Sequence, residues 1–244
     1  MSRRFLPNII ITGTPGCGKT SHSESLVSHL NQEIKDGKNK FNHLNVSEVA
    51  KERGCIESYD ERLDTSVVDE DKLLDSLAVD MEKGGAIIDW HCCDIFPERL
   101  VDLVVVLRTD NSILYDRLKK RNYNEAKLQE NIDCEIMEVV LNDARDGYVP
   151  EIVIELNSNS AEDMDENVDR ISSWVSGWIE DHPKGVTNEL DPEIAAAKLA
   201  EQGDSDEDAS DDEEDDDSED YDSEDYDEDF EVGVEEGDEE GHYE

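Results

Sequence analysis

The sequence predicts an α/β domain in three layers, a five-stranded parallel sheet with helices on both faces, followed by a disordered acidic tail. Three observations carry that expectation. Short apolar runs of strand length alternate with longer segments of helical periodicity. The first apolar run ends in Gly13-Thr14-Pro15-Gly16-Cys17-Gly18-Lys19-Thr20, a complete G-x-x-x-x-G-K-[ST] loop. Charge then divides the chain: residues 204–244 hold 26 Asp or Glu and no Lys or Arg, which leaves 41 acids against 22 bases in residues 1–203. Net charges of −19 and −26 follow for the two parts, out of −45 in all.

Taken in order, Ile9–Thr12 reads as a buried parallel strand, and a helix runs from Lys19 to about Lys35. Asp36-Gly37-Lys38-Asn39 breaks the pattern. Phe41–Val46 is a second strand, Ser47–Arg53 a short helix, and Ser58–Thr65 a polar loop. Asp69–Lys83 is helical, with Leu73, Leu74, Leu77 and Met81 on one side, and Gly84-Gly85 ends it. Ala86–Trp90 is the third strand. Leu103–Leu107 is the fourth, apolar throughout as a strand covered on both faces should be. Asn111–Arg121 and Leu128–Ala144 are helices, Ile152–Leu156 the fifth strand, and Ala161–Ile179 the closing helix. The expected domain is 1–182. Residues 183–203 read as a linker with one short helix at 191–199, and 204–244 as a tail too charged to bury a core.

Five cysteines (Cys17, Cys55, Cys92, Cys93, Cys134) are odd in number and form no C-x-x-C pair, which argues against disulfides and structural zinc and for a reducing compartment. Arg3-Arg4 does not open a signal peptide, since only a strand-length apolar run follows, interrupted by Pro7. No segment has the apolar length to span a bilayer, and a soluble intracellular protein is the expectation.

The glycine loop predicts a bound nucleoside triphosphate. Its glycines let backbone N–H groups curl around a phosphate, and the helix starting at Lys19 adds its positive end. The Lys19 ammonium would reach the β- and γ-phosphates, and the Thr20 hydroxyl would ligate Mg²⁺. On the third strand, alternation puts Asp89 and His91 on one face and Trp90 on the other. An Asp closing an apolar strand is the usual holder of that Mg²⁺. His91 would orient a water or an acceptor oxygen, or else be a hydrogen-bonded interior histidine; the spacing leaves both open. Arg117 and Arg121, one helical turn apart, project together near the strand ends. They would grip phosphates and stack on a purine, or form a solvated basic face with Lys119 and Lys120.

Over roughly residues 5–182 the chain resembles the adenylate kinase isoenzyme 6 family of P-loop nucleoside monophosphate kinases. The resemblance rests on the glycine loop, on Val68-Asp69-Glu70-Asp71-Lys72, and above all on Asp89-Trp90-His91-Cys92-Cys93-Asp94-Ile95-Phe96-Pro97-Glu98-Arg99. It continues through Val106-Leu107-Arg108-Thr109-Asp110, Leu114-Tyr115-Asp116-Arg117-Leu118, Arg121-Asn122-Tyr123-Asn124-Glu125 and Asn131-Ile132-Asp133-Cys134-Glu135-Ile136.

The resemblance implies a P-loop kinase fold with a flap over the monophosphate (Asn45 to about Val68) and a short lid (Lys120–Glu130). Pro15, Gly16, Gly18, Lys19, Thr20 and Ser21 would hold the triphosphate, with Arg117 and Arg121 beside them. Lys19, Asp89, His91 and Arg121 would be catalytic, and Thr20 and Asp89 the metal-side residues. It implies transfer of the ATP γ-phosphoryl to AMP, with ATPase activity, in late small ribosomal subunit (18S rRNA) maturation in the nucleus and cytoplasm. The alternative is mainly an ATP-hydrolysing assembly factor controlling a basic ribosomal protein. Implied partners are ATP with Mg²⁺, AMP, a small-subunit ribosomal protein and the pre-40S particle, without a membrane; the chain would be a monomer, with a dimer as the alternative. The acidity argues against strong direct RNA binding, which needs clustered Lys and Arg. The chain departs from the family at Lys51, where some relatives carry Arg, and at Cys92, where Gly is common.

Overall fold

A computed structural model describes residues 3–34, 40–62 and 65–189. Five strands form the central sheet: β2 (Ile9–Thr12), β3 (Asn42–Asn45), β6 (Ala86–Asp89), β7 (Leu103–Arg108) and β8 (Val153–Asn157). Their spatial order is β3-β6-β2-β7-β8, every neighbour parallel. The order reverses direction around β2, so the glycine loop leaves the C-terminal end of the central strand, where open α/β sheets bind ligands.

Strand alternation separates two cores. Ile10, Ile88, Val104 and Val106 face one side, against α2 (Val46–Glu52), α3 (Glu70–Lys83) and α6 (Val139–Gly147). Ile9, Ile11, Ile87, Val105 and Leu107 face the other, against α1 (Lys19–Glu33), α4 (Asn111–Lys120), α5 (Glu125–Ile136) and α7 (Ala161–Asp181). Both faces of the sheet are covered, and the three central strands β2, β6 and β7 are accordingly apolar up to their last residues, Thr12, Asp89 and Arg108, while the edge strands β3 and β8 carry polar side chains. The three-layer architecture expected from the alternation is the one observed.

Three local expectations are corrected. In the stretch 58–65, read as a polar loop, residues 58–60 and Thr65 belong instead to antiparallel strands β4 (Ile56–Asp60) and β5 (Thr65–Val68). Their side chains are largely exposed, Tyr59 to 56% and Val67 to 40%, so no buried face imposed alternation on the sequence. The single helix expected over 128–144 is two: α5 ends at Ile136, and Glu138 adopts φ 56° before α6 begins. Arg108 stabilises the break, donating to the Glu135 carbonyl at 3.0 Å and to the Glu138 carboxylate at 3.1 Å. The third correction concerns the domain's edge. Residues 186–187, expected in the linker, pair as β9 (Val186–Thr187) with β1 (Arg3–Arg4). Arg4 is buried there, its guanidinium donating twice to Asp102 (3.2 and 2.9 Å) and once to Asn188 (2.8 Å). The short helix expected at 191–199 and the acidic tail lie outside the described residues.

Candidate nucleotide site

The glycine loop runs from the end of β2 into α1 in backbone conformations that a side chain would strain. At Gly13 (φ 139°) a Cβ would sit 2.5 Å from the Leu107 carbonyl oxygen, and at Gly18 (φ 90°) it would face the Ser158 hydroxyl at 3.2 Å. The loop is thus wedged against β7 on one side and the β8–α7 connection on the other. Lys19 folds back over it, its ammonium donating to the carbonyls of Gly13 (2.8 Å) and Thr14 (3.3 Å). Burial lowers the Lys19 pKa, with Asp89 opposing that shift and Arg121 adding to it. One carboxylate and one further cation thus bear on the Lys19 ammonium at the strand ends.

The residue after Lys19 makes the shortest link between loop and sheet. Thr20 Oγ1 donates to Asp89 Oδ2 at 2.6 Å, tying α1 to the last residue of β6. Asp89 is only 4% exposed, and His43 of β3 approaches the same oxygen at 3.4 Å. A hydroxyl and a carboxylate held together are hard oxygen donors, the set Mg²⁺ uses when phosphates and water complete its shell. Among the described residues no cluster of three or more His, Cys, Asp or Glu could enclose a metal without such help.

Past the strand, Trp90 turns into the core and packs edge-on against Phe96 with ring centroids 6.2 Å apart. Its other neighbour is His91, edge-on at 5.4 Å. His91 is exposed, so the interior-histidine alternative does not hold. Removal from bulk water in the cleft wall, then the Lys19 charge, lowers its pKa to about 4. Since the ring is open to solvent, screening limits the energy involved, but the direction is clear: the imidazole is neutral near pH 7.

Arg117 and Arg121 turn out to differ. Arg117 is no part of a solvated basic face: it donates to the carbonyls of Ser158 (2.8 Å), Asn159 (2.9 Å) and Gly16 (3.3 Å), bracing the glycine loop against the β8–α7 connection. Arg121, exposed just beyond α4, donates its backbone N–H to the Leu118 carbonyl at 3.0 Å, while its guanidinium makes no hydrogen bond or ion pair among the described residues. Both line a cleft of about 510 Å³ shared with Gly16, Gly18, Ser21 and Ser158. Pro15 is half-buried on the loop, and Ser21 and Lys51 are exposed.

The segments expected as flap and lid meet at Arg62: Asn124, which caps α5, donates to the Arg62 carbonyl at 3.2 Å, and the Arg62 guanidinium lies 3.8 Å from the Glu130 carboxylate.

Sequence reasoning did not single out His22, His43 or Glu135. His22 is buried in α1, its Nδ1–H donating to the Gly18 carbonyl (2.9 Å) while Nε2 accepts from Asn167 (3.2 Å). Those bonds fix the neutral tautomer, and burial lowers its pKa. Nothing in spacing announces such partners. Glu135 lies in the Asn131–Ile136 stretch, but its neighbours Thr14, Arg108 and Thr109 come from distant elements.

Comparison with known proteins fits this geometry. Residues 9–138 match an AAA domain family. The chain is 72% identical over 191 residues to the adenylate kinase isoenzyme 6 homolog HBR1 of Candida albicans, covering 78% of this chain and 77% of that protein. It is 53% identical over 188 residues to the homolog FAP7 of Saccharomyces cerevisiae, covering 77% and 91%. With the homolog of Plasmodium falciparum identity is 35% over 185 residues, 72% of this chain and all of the relative. Among solved structures, a shikimate kinase from Bacteroides thetaiotaomicron aligns over 70% of this chain and 99% of its own, at 18% identity and a TM-score of 0.45. The glycine loop, the parallel sheet that carries it and the extent of these matches make the chain a member of the adenylate kinase isoenzyme 6 family of P-loop nucleotide kinases.

Proposed function

We propose that the chain transfers the γ-phosphoryl group of ATP to AMP, hydrolyses ATP when no acceptor is seated, and serves late maturation of the small ribosomal subunit. The observation that carries the catalytic reading is the convergence of Lys19, the Thr20–Asp89 pair and Arg121 where β2 and β6 end. Phosphoryl transfer asks for positioning and charge neutralisation rather than covalent chemistry. Lys19 exchanges its two loop carbonyls for β- and γ-phosphate oxygens. Thr20 and Asp89 would hold Mg²⁺, which would supply neutralisation of phosphate charge when bound. Arg117 has committed N–H groups to carbonyls, so it contributes the flat face of its guanidinium to the base, while Arg121 reaches phosphate. His91, neutral and exposed, orients an acceptor oxygen or a water. Lys51 contributes a point charge on the monophosphate side.

The second reading, an ATP-hydrolysing assembly factor, is favoured by that same His91: a neutral imidazole open to solvent beside Lys19 and Asp89 suits a water nucleophile as well as AMP. A net charge of −45 suits a Lys- and Arg-rich partner, in this reading a small-subunit ribosomal protein on the pre-40S particle, met in nucleus or cytoplasm. ATP and its products would then have to favour different conformations, since only differential affinity moves a partner.

The test is purified protein with ATP and Mg²⁺, with and without AMP, followed by phosphorus NMR. Two ADP formed per ATP consumed, only when AMP is present, supports the kinase. Inorganic phosphate released at the same rate whether or not AMP is added supports the hydrolase and removes AMP as substrate.

A further inference from the structure

The glycine loop is backed by a buried carboxylate with no role in the chemistry above. Glu135, on the last turn of α5, is 3% exposed. Its Oε2 accepts from the Thr14 hydroxyl at 2.5 Å, and its Oε1 accepts from the Thr109 N–H at 3.1 Å and from Arg108 Nε at 2.7 Å. A bare carboxylate under a phosphate loop would oppose the ligand, but Arg108 offsets its charge at contact distance. What remains is an acceptor that joins the loop, through the Thr14 hydroxyl and more distantly the Cys17 thiol at 3.9 Å, to the end of β7 and the end of α5.

We infer that Glu135 is a positioning residue for Lys19, acting through Thr14. The Thr14 hydroxyl is held by Glu135, and the Thr14 carbonyl in turn receives the Lys19 ammonium at 3.3 Å and the Cys17 N–H at 3.1 Å. Rotation of Thr14 about its backbone would carry that carbonyl, and with it the resting place of the ammonium, away from the cleft. The same carboxylate fixes Thr109, whose hydroxyl donates to the Ser158 carbonyl at 3.1 Å, a carbonyl that also receives Arg117. One buried acid thus registers the loop against the wall of the nucleotide cleft. The inference rests on the nucleotide-enzyme reading for its rate readout, though not for its binding readout.

Two properties separate positioning from mere stability. Gln at 135 has the right shape: its Oε1 can serve Arg108 and Thr109, and its amide can donate to a Thr14 hydroxyl that rotates to accept. Ser at 14 keeps the hydroxyl, while Val keeps the shape without it. Thr14→Val should lower turnover by about tenfold or more, as small displacements of catalytic groups do. Its melting temperature should fall by several degrees, as a lost hydrogen bond to a buried carboxylate requires, while at assay temperatures below the melt its ATP affinity changes far less than its rate. Thr14→Ser and Glu135→Gln should recover most of the rate. Glu135→Ala should lose at least what Thr14→Val loses, since it also frees Thr109 and Arg108, and the double variant should lose no more than Glu135→Ala alone, because the Thr14 link is already cut there. Wild-type turnover in Thr14→Val overturns the inference, as do losses that multiply in the double variant. Should Glu135→Ala fail to fold, the contrast between Val and Ser at 14 decides alone. ATP affinity measured by calorimetry on every variant keeps the outcomes apart: a wild type that binds ATP but turns nothing over refutes the enzyme reading, and a shift of the Thr14 backbone amides in exchange experiments still reports on the link.

Discussion

Replacing Thr20 with Val deletes one hydroxyl and leaves the shape and branching of the side chain. The lost bond, 2.6 Å to Asp89 Oδ2, ends on a carboxylate that is 4% exposed and whose other side-chain partner among the described residues is His43 at 3.4 Å. Hydrogen bonds to charged groups contribute about 1.5–3 kcal/mol. Thr20 itself faces the open cleft, so water can approach the freed oxygen, and the lower part of that range, about 1.5–2 kcal/mol, is the expectation. A domain of this size loses about 2–4 °C in Tm per kcal/mol, which predicts a drop of about 3–8 °C. The functional effect is separate from that drop. If Thr20 and Asp89 hold Mg²⁺, the gain in ATP affinity on adding Mg²⁺ should largely vanish in Thr20→Val, while affinity in EDTA stays close to wild type. Thermal melts and paired titrations with Mg²⁺ or EDTA measure both effects, with Thr20→Ser expected to restore them. An unchanged Tm together with an unchanged Mg²⁺ effect would refute the reasoning, because it would mean the Thr20–Asp89 link neither stabilises the fold nor prepares the metal side.

Three further outcomes are expected. Arg4→Ala should destabilise the domain by about 3–5 kcal/mol in urea melts, because it leaves Asp102 buried without its cation, yet spare ATP binding at the far end of the sheet; a loss below about 1 kcal/mol would show that β1 and β9 pair without that ion pair. His91 has its folded pKa lowered from 6.5 to about 4, so the folded chain binds fewer protons than the unfolded one in between. Stability from this group is complete above pH 6.5 and is lost as pH falls through that window; the difference in melting temperature between wild type and His91→Gln should therefore change between pH 7 and pH 4, and a constant difference would contradict the assignment. Lys51→Arg should lower the KM for AMP by supplying a two-pronged contact in place of a point charge, and an unchanged KM would place Lys51 outside the monophosphate site.

What the sequence disclosed was what depends on near neighbours. Ile9–Thr12 followed by the glycine loop, the apolar Val104–Leu107, and the helices after Lys19 and Asp69 are local patterns, and they stand where they were expected. The hairpin of β4 and β5 escaped because both of its faces meet solvent, so no period-2 pattern was selected. The break between α5 and α6 escaped because Met137 and Glu138 are ordinary helix formers; what ends the helix is Arg108, a residue 30 positions away in sequence from Glu138. The site shows the same division. Lys19, Thr20 and Asp89 are legible because phosphate and metal chemistry restrict residue types. Arg117 was legible as near the site but not as a brace, since its partners are backbone carbonyls, and those leave no mark on the residues that carry them. His43 and Glu135 depend on contacts across the sheet, which only the fold supplies.

The central claim is that this site moves the γ-phosphoryl of ATP onto AMP, and labelled phosphate follows that step directly. With γ-labelled ATP, Mg²⁺ and AMP, wild-type protein should place the label in ADP, and folded Lys19→Ala should place it neither in ADP nor in free phosphate. Label that appears only in free phosphate from the wild type, or transfer that persists at full rate in Lys19→Ala, would contradict the account.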